Sequence, residues 1–191
     1  MYKFNDKQLK TLLKNIVIIV DTREQRWEHI QSFFDNHKVK YKVEKLDQGD
    51  YSCYIESNEE TKPLGVLRDW YFSNDIAIEK KNSVDELLSS IKDRDRFENE
   101  FARLKMYNTK IFMFVEEENG YKNIIAGNYR SQYKPISAIG SLETFIARYD
   151  INVQFISKED TAYRIFKTLY YHLYELLKNR GYIDNVKEMN L

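Results

Sequence analysis

The sequence predicts an α/β layered domain, a central sheet covered by helices, and three observations carry that prediction. Short runs rich in Ile, Val and Phe recur at residues 16–20, 76–78 and 111–115, and such runs mark strands buried on both faces. Between them lie stretches whose apolar residues recur three and four apart, the period of a helix with one buried face. The chain has 191 residues, enough to bury roughly 70% of the surface its unfolded form exposes without disulfide or metal staples.

Each element follows in order. Lys7, Lys10 and Lys14 fall at helical spacing near the N-terminus. The strand at 16–20 runs into Asp21, Thr22, Arg23 and Glu24, so it delivers polar residues at its carboxyl end. Trp27, Ile30, Phe33 and Phe34 then recur at helical spacing. Residues 39–46 alternate, with Val39, Tyr41 and Val43 against Lys40, Lys42 and Glu44, the period of a half-buried strand. A Gly49-Asp50 turn leads from it into residues 51–55, and the two segments are expected to pair as a hairpin. Residues 56–74 hold both a Pro and a Gly and few periodic positions, an expected insertion loop with Trp70, Tyr71 and Phe72 tucked beneath it.

The strand at 76–78 continues into Glu79, Lys80 and Lys81. Ser83 to Glu86 forms a capping-box pattern, and Val84, Leu87, Leu88 and Ile91 supply a helical apolar face behind it. The phase shifts at residues 93–95 before a second stripe of Phe97, Phe101 and Leu104, which predicts a break near Arg94. A strand at 110–115, a helix at 135–148, a strand at 151–156 and a helix at 160–178 follow, with a tail expected over 180–191. No repeat or linker divides the chain, so a single domain spanning 1–191 is expected.

Composition excludes several functions. With 30 Lys+Arg against 30 Asp+Glu, bulk charge selects no partner. The single Cys53 rules out an internal disulfide framework and a Cys-rich zinc module, and points to a reducing compartment. The N-terminus lacks the apolar stretch of a secretory signal, so a cytoplasmic location is expected. No apolar run approaches the ~20 residues of a membrane span. Phosphate-loop and dinucleotide-binding glycine patterns are absent, and His29, His37 and His172 are too scattered for a zinc pair or a triad.

What remains is a set of carboxylates at strand ends. Asp50 follows the Gly49 turn, and Glu79 points to the same strand face as Lys81, because side chains alternate with period two. Asp50, Glu79 and Lys81 can therefore converge, with Asp21 and Glu24 on the same rim. Two hard oxygen ligands with open positions for water and phosphate suit Mg²⁺. A Gly-Asp turn and a Glu-Lys-Lys string also occur on ordinary surfaces; placement at the ends of strands is what singles these out.

The ordered series Asp21-Thr22-Arg23-Glu24, Gly49-Asp50-Tyr51, Glu79-Lys80-Lys81 with Asp85, then Arg96-Phe97-Glu98 leading to Arg103-Leu104 resembles the nuclease domain of the XPF/Hef-type structure-specific endonucleases. That group belongs to the PD-(D/E)XK, restriction-endonuclease-like superfamily, and the resemblance covers about residues 16–170. It implies a central mixed sheet flanked by helices. It also implies Asp21, Asp50 and Glu79 as Mg²⁺ or Mn²⁺ ligands, Lys81 as the catalytic lysine, and Glu24, Lys80, Asp85 and Arg96 in support. Arg23, Lys80, Arg94, Arg96 and Arg103 are expected to contact DNA.

Two departures stand out. The family's usual Glu-Arg-Lys is here Glu79-Lys80-Lys81, which keeps the charge and loses the planar fork. The tandem helix-hairpin-helix domain that usually follows is not expected within these residues. The expected function is metal-dependent hydrolysis of DNA phosphodiesters, with a preference for branched, flap or junction DNA in recombination, repair or replication that comes from the nuclease domain itself, from a homodimer or from a partner subunit. A catalytically silent nuclease-fold module and a sequence-specific restriction-type nuclease are the alternatives.

Overall fold

The computed structural model describes residues 4–188, the side chains of residues 96, 100 and 180–188 excepted. Its strands are β1 (Ile16–Val20), β2 (Tyr41–Val43), β3 (Tyr51–Ile55), β4 (Trp70–Tyr71), β5 (Ile76–Lys81), β6 (Lys110–Val115) and β7 (Ile151–Phe155). Its α-helices are α1 (Asp6–Lys14), α2 (Glu28–Asn36), α3 (Val84–Lys92), α4 (Arg94–Met106), α5 (Gly120–Ala126), α6 (Pro135–Tyr149) and α7 (Lys158–Glu188). The strands form one mixed sheet in the order β2-β1-β3-β5-β6-β7, with β4 beside β3. The α/β expectation holds, and so does the helix break, since α3 ends at Lys92 and α4 begins at Arg94.

The expected hairpin does not form. Strand β1 lies between the two segments, parallel to β2 and antiparallel to β3. Alternation identifies a strand but is silent about its partner, and β1, buried at all five positions, needs a neighbour on each edge. Helix α2 supplies the crossover that a parallel β1–β2 pair requires. Three further features were not expected: α5, the short β4, and a 3₁₀ turn at Lys62–Leu64 inside the 56–74 segment. The segment expected as a tail continues α7 to Glu188, because Gly181 costs a helix only about 1 kcal/mol and no proline stops it. Residues 189–191 lie outside the described residues.

The sheet separates two cores. On one face Ile16, Ile18 and Val20, Tyr51, Cys53 and Ile55, Ile76 and Ile78 pack against α1, α2 and the stripe Ala162, Ile165, Leu169, Leu173 and Leu177 of α7. On the other, Ala77, Ile111, Met113 and Val115 pack against α3 to α6. Cys53 belongs to the first core, and burial pushes its thiol up, so it is a packing residue and not a nucleophile. Among the described residues no helix is long and apolar enough to cross a membrane.

A candidate active site at the carboxyl ends of β1 and β5

Strands β1 and β5 run parallel, both antiparallel to β3, so their carboxyl ends and the amino end of β3 share one edge of the sheet. This topology brings Asp21, Asp50 and the Glu79 to Lys81 run together. Backbone bonds fix the junction: Asp21 N–H donates to Asp50 O at 2.8 Å and Asp50 N–H to Ile78 O at 2.9 Å. Gly49 makes the approach feasible. It sits at φ 74°, and an added Cβ would lie 3.2 Å from Ala77 Cβ and 3.3 Å from Ile78 O, so only glycine meets both the backbone and the space demanded there.

The edge opens into a cavity of about 690 Å³ lined by Glu24, Arg26, Asp50, Glu79, Lys81, Glu86, Asn99 and Arg103 among others. Asp50 Oδ2 accepts from the Lys80 N–H at 2.7 Å. Burial, then the charges of Glu79 and Glu24, hold the Asp50 carboxyl well above the usual carboxylate range, against the pull of that N–H and of Lys81. Glu79 Oε1 accepts from Lys81 Nζ at 2.6 Å. Burial alone would lower the Lys81 pKa, but Glu79 foremost, with Asp50 and Glu86, raises it above its ordinary value. Lys81 is therefore a cation at neutral pH, suited to neutralising charge and not to accepting a proton.

Lys80, one residue away, faces the opposite core. Its side chain has no exposed surface and its Nζ lies 3.3 Å from Glu24 Oε1, whose side chain is 6% exposed. Nζ also donates to Asn82 Oδ1 at 2.8 Å. Burial lifts the Glu24 carboxyl above its ordinary value in spite of Lys80, and Glu79 and Glu86 add to the rise. The expected phosphate contact by Lys80 is thus replaced by a buried ion pair, and Glu24 serves as its partner.

Asp21 also departs from expectation. Its Oδ1 accepts from Arg23 N at 2.8 Å and Arg23 Nε at 2.6 Å, and its Oδ2 from Leu46 N at 2.6 Å. Burial would raise its carboxyl, yet these bonds to Arg23 and Leu46 hold it below its ordinary value. Both Asp21 oxygens are thus engaged in pinning the β1 end to the 44–48 loop, and Arg23, which also donates to Leu46 O at 2.8 Å, is its partner. Asp85 points away and accepts from Arg130 N and Nε at 2.8 and 3.0 Å. Arg94 pairs with Glu98 at 2.8 Å outside the cavity. Arg103 lines it; the Arg96 side chain lies outside the described residues.

Glu86 was missed by the sequence reading. As the third residue of α3 it was expected to bond back to Ser83, but its carboxylate accepts from Asn82 N and Nδ2 at 3.0 and 2.8 Å and so stands at the cavity wall. Its place in the capping-box pattern was the available signal. Arg26 and Asn99 were missed as well, although Arg26 lies in the same strand-end loop as Glu24. Two acidic residues after β6 are structural: Glu116 Oε1 meets His29 Nε2 at 2.6 Å, and Glu117 accepts from the Val84 N–H at 2.9 Å.

Among the described residues no group of three or more His, Cys, Asp or Glu side chains forms a metal cage. Asp50 and Glu79 still fit a hard divalent cation. Asp50 Oδ1 and Glu79 Oε2 make no hydrogen bond among the described residues, and the burial and neighbouring negative charge that raise Asp50 are of the kind a bound cation offsets.

A mixed sheet flanked by helices, with acidic and lysine side chains at the ends of its central strands, defines the restriction-endonuclease-like, PD-(D/E)XK class. Residues 20–169 match the ERCC4 domain, so the chain belongs to that family. Among solved structures, XPF from Aeropyrum pernix shares the fold at 20% identity and a TM-score of 0.54, over 80% of this chain and 64% of that one. A second structure of the same archaeal protein, a complex with DNA, matches at 18% identity and a TM-score of 0.53, over 81% and 63% of the two chains. This chain thus spans less than two thirds of either neighbour. No curated protein matches the sequence.

Proposed function

We propose that this chain is a divalent-metal-dependent DNA endonuclease that acts on branched, flap or junction DNA in recombination, repair or replication. The observation that carries this reading is the convergence of Asp50, Glu79 and a cationic Lys81 in one open cavity. Membership of the ERCC4 domain family and likeness to an XPF captured with DNA support it.

The chain's own groups divide the work. Asp50 and Glu79 supply the oxygens for Mg²⁺ or Mn²⁺, and a bound cation would act as Lewis acid and lower the pKa of a water. Lys81 Nζ, held by Glu79, faces the charge that develops on the phosphate and stabilises it in place. The backbone N–H of Lys80 orients Asp50 Oδ2. Asp21, Arg23 and the Lys80–Glu24 pair keep the two strand ends in register. Preference for branched substrates belongs to this domain itself, to a homodimer, or to a partner subunit.

The test is cleavage of labelled flap, fork, four-way junction, duplex and single-stranded DNA with Mg²⁺, Mn²⁺ or EDTA, with Glu79→Ala alongside. Metal-dependent cutting of the branched set that Glu79→Ala abolishes is the expected result. Cutting at defined sites in plain duplex would instead assign a restriction-type nuclease, and no cutting under any condition would assign a binding module.

A further inference from the structure

Five basic residues border the cavity, Arg23, Arg26, Lys80, Lys81 and Arg103, the Lys80 side chain with no exposed surface, and three of them are committed. Arg23 is bound to Asp21, Lys80 to Glu24 and Lys81 to Glu79. Arg26 and Arg103 have no ion pair among the described residues. They come from different elements, Arg26 from the β1–α2 loop and Arg103 from α4. Arg26 is also held at φ 58°, a left-handed backbone that is unfavourable for a side-chain-bearing residue and that clusters at working sites.

We propose that Arg26 and Arg103 form a two-sided clamp for the sugar–phosphate backbone on either side of the cleaved bond. This rests on the nuclease reading of the same cavity. A polyanion entering a site already carrying Glu24, Asp50, Glu79 and Glu86 needs cations not yet neutralised, and these two are the ones the cavity offers. Guanidinium forks suit the task, since each takes two phosphate oxygens at once. The clamp contacts backbone alone, so it positions the strand without reading sequence.

The test measures binding of a labelled fork DNA in EDTA by fluorescence anisotropy from 50 to 300 mM salt, with wild type, Arg26→Ala, Arg103→Ala, the double variant, and Arg130→Ala as an exposed arginine outside the cavity. Each phosphate contact contributes about 0.9 to the slope of log affinity against log salt. The slope is therefore expected to fall by about 0.9 in each single variant and about twice that in the double, with Arg130→Ala like wild type and Arg26→Lys and Arg103→Lys keeping the slope. An unchanged slope in the cavity variants, or an equal fall in Arg130→Ala, overturns the clamp. If cleavage remains sensitive to Glu79→Ala while the slopes do not move, the clamp alone fails; if wild type shows no salt-dependent binding, the DNA reading fails with it.

Discussion

The two faces of β5 at its carboxyl end use neighbouring, chemically similar residues for opposite purposes. Glu79 and Lys81 share the face of Ala77 and open onto the cavity, whereas Lys80 shares the face of Ile76 and Ile78 and is sealed against Glu24. Beneath the sheet the polar groups are structural: Lys80 with Glu24, His29 with Glu116, and a buried Tyr51 hydroxyl that has no hydrogen-bond partner among the described residues. Above it, Asp50 and Glu79 keep oxygens unengaged. Period-two alternation sorts one Glu-Lys-Lys string into a half that opens onto the cavity and a half that is sealed, so removing charge from the two halves should damage different properties.

The largest expected effect is on the cavity side. Asp50→Ala is expected to lower cleavage by a thousandfold or so while the melting temperature stays near wild type, since metal chemistry of this kind carries several kcal/mol of the barrier. Circular dichroism melting beside single-turnover cleavage checks both halves of that statement. On the sealed side, Lys80→Met should cost about 3–5 kcal/mol of stability, because Glu24 is left as an unpaired buried charge; denaturant titration measures it, and Lys80→Met with Glu24→Gln should recover part of the loss. A Lys80→Met variant as stable as wild type would break the comparison.

Lys81→Met is expected to reduce the rate about 10²- to 10³-fold, the usual cost of removing one preorganised charge from a transition state, with stability changed far less than in Lys80→Met. Gly49→Ala sharpens the comparison from the backbone side. Its left-handed φ and the contacts with Ala77 and Ile78 predict a loss of roughly 1–2 kcal/mol and a fall in cleavage as Asp50 moves off β5. The smallest effect lies on α7. Burial depresses the His172 pKa below 6.5, so the unfolded chain binds the extra proton first. Stability should be full above about pH 6.5 and decline as pH falls below it, and the decline should shrink in His172→Gln.

Much of this was legible in the sequence, for physical reasons. Buried strands and amphipathic helices announce themselves by period, which located β1, β5, β6 and the stripe of α7, and the phase shift near Arg94 marked a real helix break. Pairing is not a periodic property, so the hairpin between β2 and β3 was wrong once β1 inserted between them. That Asp50, Glu79 and Lys81 line one cavity followed from position at strand ends. The departures share one cause. Asp21, Arg23, Lys80 and Asp85 are polar residues that the fold spends on one another or on backbone groups, and a linear pattern cannot show whether a charge is already satisfied. Glu86, Arg26 and Asn99 reach the cavity from a helix start, a loop and a helix face, positions at which sequence carries no sign of direction.

The account rests on Asp50 and Glu79 as the pair that holds a divalent cation, and calorimetric titration of Mn²⁺ into wild type and Asp50→Asn tests that most directly. The account predicts saturable binding to wild type and loss of that heat in Asp50→Asn, with the variant folded. Equal heat from both proteins, or cleavage by a wild type that binds no Mn²⁺ or Mg²⁺, would contradict it.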